Sequence, residues 1–563
     1  MAGSLQLVGN IRKAFGKIAR KMSSKKRFIC EHIFINKETE RFIRHNKKIW
    51  PAWKIKNCKS EILVDFYAVR ETLIAYSYFL NVLARKHNAC IKAFPMTNPF
   101  NNQRLYIFYH FFNVFFKIFS SNNLYSNPAL SKVYQSFNSS GYIVPTLDQE
   151  QKMRQREICQ KIKQNIKTNR DVFEISIMGV WMGIDIYESY LIYFNKPTVY
   201  LDDPELFDLI DKSVELLIFW TDYIEKHKVA AVVVSHDCYI PLDIICKIAY
   251  QKKIPVYLPN IRGISLSDSP HSLYSSRFIN YRKMFRSLPP GEQANGIKLA
   301  KEQLQRRFQG EVGVDMPYST KSAFRESSDD RPILRKSDKI KVLICTHCFY
   351  DNPHAYGGML FVDFYEWLHF LGKISEKTDY DWYLKMHPDP LPGTEEIIRE
   401  IIAKYPRITF IPPETSFLKL AKEGLNFALT VYGSVGHELP ALGIQVINAG
   451  YNPHVAYDFN WNPKTTEEYE YFLLNLEKLH KNVSLQELYE FYYMHYYYVL
   501  SDDLILKSYK QSIKDLDLKE QIGPEIYEYF LNQLTEAKHQ KIIEKMQKFI
   551  DSGKHNYFSR GPE

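Results

Sequence analysis

Apolar runs and amphipathic segments alternate along the first half of the chain. The stretch EILVDFYAVRETLIAYSYFLNVLARKHNACIKAF (61–94) joins a β-rich apolar run, a segment with helical spacing of apolar residues and a second apolar run. This order predicts a strand–helix–strand unit, which implies a parallel sheet. The same alternation returns in predicted helices over 204–226 and 241–251, which precede predicted strands over 230–235 and 254–259.

The second half of the chain repeats this alternation after a polar stretch. Residues 310–338 carry turn formers and few regularly spaced apolar positions, which predicts an interdomain linker. We expect a buried strand in KIKVLICTHC (339–348), followed by helices over 359–374, 394–404, 416–423 and 436–442 and strands over 381–386, 408–412, 426–432 and 444–450. From Thr465 onwards the pattern is helical, and we expect this extension to pack on the second domain.

The two alternating regions predict an α/β protein with two Rossmann-like, doubly wound domains that face each other across a cleft. The predicted parts are a basic amphipathic N-terminal segment (1–58), an acceptor and catalytic domain (59–309), a linker (310–338), a nucleotide-binding domain (339–465) and a helical C-terminal extension (466–563). In such sheets ligands bind at the carboxyl ends of the strands, so we look for functional residues there.

The N-terminal segment carries a distinct charge pattern. Between Leu7 and Arg27 apolar residues recur at helical spacing, Lys and Arg fill most other positions, and no acidic residue occurs before Glu31. This pattern is typical of a basic amphipathic helix on an anionic membrane leaflet, and the alternative is a solvated basic arm. The aromatic run at 105–119 is interrupted by polar residues and too short to span a membrane, so it predicts a packed helix.

Composition narrows the classes of function. The net charge of +11 over 563 residues favours an anionic ligand or surface, but no nucleic-acid-binding motif occurs, so nucleic acid is not an expected partner. The 8 cysteines do not make a disulfide scaffold, and the Cys345–Cys348 pair lacks the second pair that zinc needs. Without a signal peptide or a membrane span, we expect a cytoplasmic protein, peripheral on the inner face of the cell membrane.

The segment WYLKMHPDP (382–390) runs a predicted strand directly into a histidine and a proline. Lys385 and His387 are two residues apart and project to the same side of an extended chain, while Pro388 ends strand pairing. A histidine and a lysine at this position can bind a phosphate oxygen and stabilise charge on a departing nucleotide. The alternative is a histidine that caps a loop.

The segment TVYGSVGHELPALGIQVINAG (430–450) breaks a strand into glycine and serine. Gly433, Ser434 and Gly436 open a predicted helix whose unpaired N–H groups can receive a phosphate, with the Ser434 hydroxyl as a further donor. Glu438 is placed to pair with ribose hydroxyls or to cap the helix. The alternative is an ordinary strand–helix turn with a serine cap.

Together these two segments resemble the C-terminal domain of bacterial GT-B glycosyltransferases that build capsules and lipopolysaccharide O-chains. The likeness is greatest to the group that includes capsule Kdo transferases and bacterial polysialyltransferases, and it covers residues 341–450. It implies a GT-B fold in which His387 with Pro388, and Ser434, hold the CMP part of a CMP-activated sugar acid. It also implies that no metal ion and no cofactor besides the nucleotide-sugar donor is needed.

The first domain must then contain the catalytic carboxylates. VVVSHDCYI (232–240) puts Asp237 at the end of an apolar strand, where it can act as base or nucleophile. By resemblance to retaining Kdo transferases, we interpret Asp237 as the nucleophile. Asp185 and Glu188 in GVWMGIDIYESYL (179–191) are candidates for the partner acid or base. The alternatives are a helix-capping aspartate and solvated acids on a helix face.

Two further residues of the first domain are candidates for binding the carboxylate of the sugar. Arg262 follows a predicted strand and can bind a carboxylate through two parallel hydrogen bonds, and His236 neighbours Asp237. Arg262 is equally consistent with a surface position.

The sequence therefore predicts a glycosyltransferase that moves a sugar, Kdo or a related ulosonic acid from a CMP donor, onto a lipid-linked surface polysaccharide, capsule or lipopolysaccharide acceptor. One alternative is a CDP-polyol phosphotransferase of the teichoic-acid type. Another is a non-catalytic glycan-binding protein that retains the GT-B fold.

Overall fold

A computed structural model describes residues 35–50, 58–67, 69–95, 128–267, 278–315, 321–325, 331–388, 390, 393–498, 504–506, 523–553 and 556–557. The predicted N-terminal basic helix and the predicted aromatic helix at 105–119 lie outside these residues. None of the helices in the described ranges combines the length and the apolarity that crossing a bilayer requires.

The described strands are β1 (Ser60–Phe66), β2 (Ala89–Pro95), β3 (Ser139–Tyr142), β4 (Ser176–Ile177), β5 (Val180–Trp181), β6 (Val229–Val233), β7 (Val256–Pro259), β8 (Ile264–Ser267), β9 (Lys341–Cys345), β10 (Asp381–Lys385), β11 (Ile408–Ile411), β12 (Phe427–Thr430), β13 (Gln445–Asn448) and β14 (Asn556–Tyr557).

The described α-helices of the first domain and the segment after it are α1 (Lys37–Ile49), α2 (Arg70–His87), α3 (Pro128–Ser136), α4 (Gln149–Asn165), α5 (Asn169–Phe173), α6 (Gly183–Phe194), α7 (Pro204–Lys226), α8 (Leu242–Gln251), α9 (Tyr281–Ser287) and α10 (Pro290–Phe308). Those that follow are α11 (Phe364–Lys377), α12 (Thr394–Lys404), α13 (Phe417–Lys422), α14 (Val435–Glu438), α15 (Thr466–Leu473), α16 (Leu485–Tyr493), α17 (Glu525–Gln533) and α18 (Glu536–Ser552). Short 3₁₀ helices cover Pro440–Leu442 and Leu476–Lys478, and a π-helical turn covers Met494–Tyr498.

The first sheet has the order β14-β8-β7-β6-β1-β2-β3, with β1 near its centre. Strands β3, β2, β1, β6 and β7 run parallel, whereas β8 and β14 add antiparallel pairs at one edge. The chain builds outwards from β1 through β2 and β3, then restarts on the other side with β6. The order therefore reverses between β1 and β6, which is the topological switch point of this sheet.

The second sheet is parallel throughout and has the order β11-β10-β9-β12-β13. Its strands β9, β10 and β12 are almost entirely buried, because helices cover both faces of the sheet. Here the order reverses between β9 and β12. Two doubly wound domains of the GT-B fold are thus present, and the predicted fold class is confirmed.

The polar stretch before the second domain contributes to its core. Phe324 and Leu334 are buried against Tyr383 and Phe417 of this domain. Cys345 and Cys348 are free cysteines, whereas Cys58 and Cys90, at the first two strands of the first sheet, form a disulfide.

The C-terminal helices return to the first domain. Phe530 of α17 and Met546 of α18 belong to the same buried cluster as Phe42 of α1 and Tyr78 of α2, and β14 pairs with β8. The expectation that the whole extension packs on the second domain is therefore wrong for these helices. Their apolar spacing predicts a buried face but carries no information about which domain covers it.

Candidate functional site

A pocket lies at the carboxyl ends of β9, β10 and β12, beside the switch point of the second sheet. It contains both His387 and Ser434, the two residues that the sequence predicts to bind one nucleotide from neighbouring loops. The pocket is lined by Arg307, Lys321, Ala323, Cys345, Thr346, Lys385, Met386, His387, Pro388, Phe417, Ser434, Val435 and Glu438.

Strand β10 ends at the predicted Lys385, and the predicted His387 and Pro388 lie in the loop that follows. Lys385 is buried, donates from Nζ to the carbonyl oxygen of Pro413 at 2.8 Å and lies over the ring of Phe417, with Nζ 4.6 Å from its centroid. Burial lowers the pKa of Lys385 to about 8. His387 is exposed and Pro388 partly exposed, so the imidazole forms the outer part of the same wall.

Strand β9 contributes a residue that the sequence reasoning missed. Thr346 follows the strand, is only 7% exposed and lines the pocket. Its Oγ1 has no hydrogen-bond partner among the described residues. A buried hydroxyl without a partner is costly, so a ligand oxygen at this position would complete its hydrogen bonding. Its place directly after a central strand is the signal that could have identified it.

The next residue, His347, has a structural position. Its Nε2 accepts hydrogen bonds from the backbone N–H of Val431 at 3.1 Å and from the Thr430 hydroxyl at 2.8 Å. Burial, reinforced by the nearby charge of His387, lowers the pKa of His347 to about 3, so the ring is neutral. It joins the end of β9 to the end of β12 and thereby fixes the loop before Ser434.

The predicted helix at 436–442 is shorter than expected. Only the four residues of α14 are α-helical, and Ser434 occupies its N-cap position without a side-chain cap bond. Gly433 donates its N–H to Thr430 Oγ1 at 3.2 Å, and a Cβ on Gly436 would lie 2.4 Å from Cε1 of His454. These two predicted donor-binding glycines do not line the pocket; they allow the turn to pack closely.

Glu438 forms an ion pair that the sequence did not predict. Arg307, on α10, contacts Glu438 through Nε and a terminal nitrogen, each at 2.5 Å from Oε1. The side chain of Glu438 is 1% exposed and that of Arg307 is 13% exposed. Burial opposes the charge on Arg307, but the carboxylate outweighs it and raises the Arg307 pKa. No sequence signal distinguishes Arg307 within its polar helix.

The charges around the pocket favour an anion. Arg307, Lys321 and Lys385 face it, and Glu438 is the one acidic side chain in its described lining. Because Glu438 is paired with Arg307, the cations are in excess, and partial burial weakens solvent screening of their attraction.

Asp237 lies in the first domain, in the loop that follows β6. Its Oδ2 accepts a hydrogen bond from the Ser267 hydroxyl at 3.2 Å, and burial raises the pKa of Asp237 to about 6. Two residues further, the Tyr239 hydroxyl donates to Asp351 of the second domain at 2.6 Å. The loop that carries Asp237 therefore borders the contact between the domains.

Asp185 occupies the interior of the first domain. It forms a buried ion pair with Lys247, which also lies 3.1 Å from Asp243 and donates to the carbonyl oxygen of Trp181 at 2.8 Å. Burial raises the pKa of Asp185 well above its ordinary value. These contacts correct the predicted acid–base role of Asp185, because a side chain 3% exposed and held by Lys247 cannot meet a substrate. Helical spacing alone could not reveal this burial.

Glu188 joins the two domains. Its Oε1 accepts hydrogen bonds from the backbone N–H of His354 at 2.9 Å and from Nδ1 of the same residue at 3.0 Å. Both side chains are buried. This arrangement gives Glu188 a role in the interdomain contact, in place of the solvated or catalytic surroundings considered from the sequence.

The two predicted carboxylate-binding residues do not line the pocket. The backbone N–H of Arg262 donates to Asn260 Oδ1 at 2.9 Å, and its carbonyl accepts from the N–H of Leu504 at 2.9 Å. His236 lies beside Asp237, and burial lowers the pKa of His236 to about 4. A neutral imidazole does not provide the positive charge that the predicted carboxylate-binding role requires.

The chain matches no protein-family model and no curated protein sequence. Among solved structures it is similar to Thermosulfurimonas dismutans KpsC, beta Kdo 2,7 transferase, at 13% identity over 61% of this chain and 93% of that chain, with a TM-score of 0.29. It is similar to Anabaena Alr3699/HepE in complex with UDP at 10% identity, over 81% and 99% of the two chains, with a TM-score of 0.23. For E. coli ADP-heptose lps heptosyltransferase II the identity is 9%, the coverage 74% and 100%, and the TM-score 0.18.

The sheet order of the chain itself defines the class of protein. It is a two-domain protein of the GT-B fold with a basic pocket at the switch point of its second sheet.

Proposed function

We propose that the protein is a glycosyltransferase that moves a sugar from a nucleotide donor to a glycan acceptor. The observation that carries this proposal is the convergence of His387, Ser434, Lys385 and Thr346 on one pocket at the switch point of the second sheet. Ligands of doubly wound sheets bind at such points. In this proposal the sugar of the donor extends from this pocket towards the loop that carries Asp237.

The pocket is suited to the phosphate of the donor. Lys385 and Arg307 provide positive charge, while His387, Ser434 and Thr346 provide hydrogen-bond donors. When the bond between sugar and phosphate breaks, negative charge grows on the departing phosphate. Donors and cations already in place stabilise that charge without reorganisation. We propose that Glu438 holds Arg307 in position through their ion pair rather than binding ribose.

Asp237 is the proposed catalytic carboxylate. Asp185 is paired with Lys247, and Glu188, which also lies at the interdomain contact, is paired with His354. Asp237 instead accepts a hydrogen bond from the neutral hydroxyl of Ser267, on a loop that borders the same contact. As a nucleophile, its carboxylate oxygen would bond to the anomeric carbon while the nucleoside monophosphate leaves with the bonding electrons. The outcome would be overall retention after a second displacement by the acceptor.

The finer parts of the proposal concern substrates. We propose a CMP-linked ulosonic acid such as Kdo as the donor, on the likeness of 385–388 and 430–450 to the capsule group. We propose a lipid-linked surface glycan as the acceptor and metal-independent binding of the donor. The basic pattern of the N-terminal segment supports a position at the inner face of the cell membrane.

A donor screen tests this function. Purified protein is incubated with CMP-, UDP-, GDP- and ADP-linked sugars and a panel of glycan acceptors, and mass spectrometry identifies the released nucleotide and the extended glycan. We expect CMP release together with a glycan that gains one ulosonic acid. Transfer of a polyol phosphate from a CDP donor with release of CMP would identify the phosphotransferase alternative. Absence of both transfer and nucleotide binding would identify a non-catalytic protein.

A further inference from the structure

The switch point of the first sheet holds three polar side chains that the proposed donor site does not use. Asp65 lies in β1, and Ser235 and His236 lie two and three residues after the end of β6. These two strands are neighbours, with Val64 paired to Val233. Because the strand order reverses between β1 and β6, this position in the first domain corresponds to the donor pocket in the second.

Asp65 is a fully buried carboxylate with three donors. It accepts hydrogen bonds from the Ser235 N–H at 3.0 Å, from the Ser235 hydroxyl at 2.6 Å and from the Tyr76 hydroxyl at 2.5 Å. Asp65 forms no ion pair within the described ranges. Burial raises the pKa of Asp65 to about 6, although the three hydrogen bonds oppose this rise because they favour the ionised form. The carboxylate is therefore ionised at neutral pH. Burying a negative charge without a cationic partner costs stability, and groups perturbed in this way are found preferentially at functional sites.

The hydrogen bonds fix the tautomer of His236. The Ser235 hydroxyl has a single proton, which it donates to Asp65, so its Oγ must accept from Nδ1–H of His236 at 2.9 Å. The ring therefore carries its proton on Nδ1 and a lone pair on Nε2. In the part of the chain that the structure describes, Nε2 has no hydrogen-bond partner, and the Tyr67 ring packs edge-on against the imidazole at 5.9 Å.

The position of His236 suits contact with an acceptor. It precedes the candidate nucleophile Asp237 by one residue and lies on the loop whose Tyr239 bonds to Asp351 across the interdomain contact. Burial keeps the imidazole neutral at pH 7, as a proton acceptor must be. The chain Asp65–Ser235–His236 thus has the arrangement in which a buried carboxylate orients a base and stabilises its protonated form.

We propose that His236 is the base that activates the acceptor and that Ser235 and Asp65 are its positioning residues. The inference rests on the proposed glycosyl transfer. The acceptor hydroxyl gives its proton to Nε2 while its oxygen bonds to the anomeric carbon. The bond from that carbon to the Asp237 oxygen of the covalent intermediate breaks, and its electron pair returns to the Asp237 carboxylate. The charge on Asp65 stabilises the resulting imidazolium through Ser235.

Kinetics of His236→Ala, Ser235→Ala and Asp65→Asn test the inference, with CMP affinity and melting temperature measured on each variant. We expect His236→Ala to lower kcat by roughly 10²-fold or more at unchanged CMP affinity, and added imidazole to restore part of the loss. Ser235→Ala should lower kcat by about 10-fold, while Ser235→Thr, which keeps the hydroxyl, should retain most activity. Full activity of His236→Ala, or a loss that imidazole does not reverse, would overturn the inference.

A chemical probe tests, independently of turnover, whether His236 of the wild type carries an accessible lone pair. Diethylpyrocarbonate modifies imidazole nitrogens that carry a lone pair, and peptide mass spectrometry reports each histidine separately. At pH 7 we expect His236 of the wild type to react, and to react more slowly in Ser235→Ala, with the exposed His480 as internal reference. An unreactive His236 would contradict an accessible lone pair on Nε2, which the proposed base requires. Wild-type protein that transfers no sugar contradicts the proposed function, whereas an active wild type with a fully active His236→Ala contradicts only this inference.

Discussion

The ammonium group of Lys385 is buried and poorly solvated, and its ability to bind an anion therefore depends on pH. Its pKa is lowered to about 8 because burial disfavours the charged form, and its one described hydrogen bond goes to a carbonyl oxygen. A phosphate beside it would favour the charged form and be bound more tightly when the lysine is protonated. The residue thus couples anion binding to pH.

We therefore expect CMP affinity to weaken as pH rises through about 8, because Lys385 loses its proton in that range. Isothermal titration calorimetry from pH 6.5 to 9.5 measures this. Lys385→Met should bind weakly at every pH and lose the dependence near pH 8. An affinity that stays constant up to pH 9.5 in the wild type would exclude Lys385 from the phosphate site.

At the same scale, Asp237→Asn should abolish turnover while CMP still binds. The change removes the negative charge of the carboxylate but keeps its shape, and loss of a nucleophile costs roughly 10³-fold or more in kcat. Asp208→Asn, an exposed position on α7, is the matched control. If Asp237→Asn lost binding and melted at a lower temperature as well, Asp237 would have a structural role in the loop after β6.

At the scale of elements, the short helix α14 is anchored by a chain of neutral side chains. His454 donates from Nδ1 to Asn452 at 3.0 Å, His437 donates from Nδ1 to His454 Nε2 at 3.1 Å, and the Tyr496 hydroxyl donates to His437 Nε2 at 3.2 Å. This assignment satisfies each ring nitrogen. The chain joins α14, which follows Ser434, to the π-helical turn after α16.

The chain predicts acid sensitivity. Burial lowers the pKa of His454 to about 3 and that of His437 well below its ordinary value. Below pH 6.5 these two histidines are therefore protonated in the unfolded state but remain neutral in the folded state. Stability is therefore lost as pH falls from about 6.5 towards 3, by about 2 kcal/mol at pH 5 for His454, and His437 adds to the loss in the same direction.

Urea unfolding at pH 7 and pH 5 measures this loss. The informative quantity is the difference in the free energy of unfolding between the two pH values. His454→Asn lowers stability at both pH values but should reduce the difference between them by about 2 kcal/mol, the contribution of His454. If the free energy of unfolding changed between pH 7 and pH 5 by the same amount in the variant as in the wild type, His454 would not contribute to the acid sensitivity.

The elements themselves were largely predictable. Apolar spacing gave α7 and α12 with the observed bounds, and it placed β10 within one residue. The predicted helix from Met359 begins instead at Phe364, because Asp363 caps it by accepting from the Glu366 N–H at 2.7 Å. Where a helix begins depends on local capping residues as well as on apolar spacing. The first residue of a helix was therefore predicted less accurately than the presence of the helix.

The site was predictable only in part. The strand-end positions of His387 and Ser434 made their location on the same side of the sheet foreseeable, because the parallel strands of one sheet end at the same edge. That β10 and β12 both flank β9 is seen only in the structure. Arg307 could not be foreseen, since it reaches the pocket from a helix far away in sequence. Nor could the burial of Asp185, which depends on its ion pair with Lys247 on α8.

At the scale of the whole molecule, chain continuity ties the two domains together. The polypeptide leaves the first domain through α10, builds the second sheet and returns through α17 and α18 to pack on α1 and α2. Among the described residues, hydrogen-bonded pairs that join the domains include Glu188 with His354, Tyr187 with Asp363, and Tyr239 with Asp351. The walls of the cleft are thus positioned from both ends of the chain.

Membrane association also belongs to this scale, through the predicted basic helix between Leu7 and Arg27. Deletion of residues 1–28 should shift the protein from the membrane fraction to the supernatant, because it removes a basic amphipathic segment that anionic lipid attracts. Flotation with vesicles that contain anionic lipid measures the shift, and vesicles of neutral lipid are the control. An unchanged distribution would remove the proposed membrane role of this segment.

The most direct measurement is a calorimetric double-mutant cycle on CMP binding with His387→Ala, Ser434→Ala and both together, with cytidine as the ligand that lacks a phosphate. If both side chains bind the same phosphate, each change should weaken CMP by roughly 10-fold, the combined effect should depart from additivity, and cytidine affinity should not change. CMP binding of wild-type strength in the double variant, or equal losses for CMP and cytidine, would contradict a shared phosphate site.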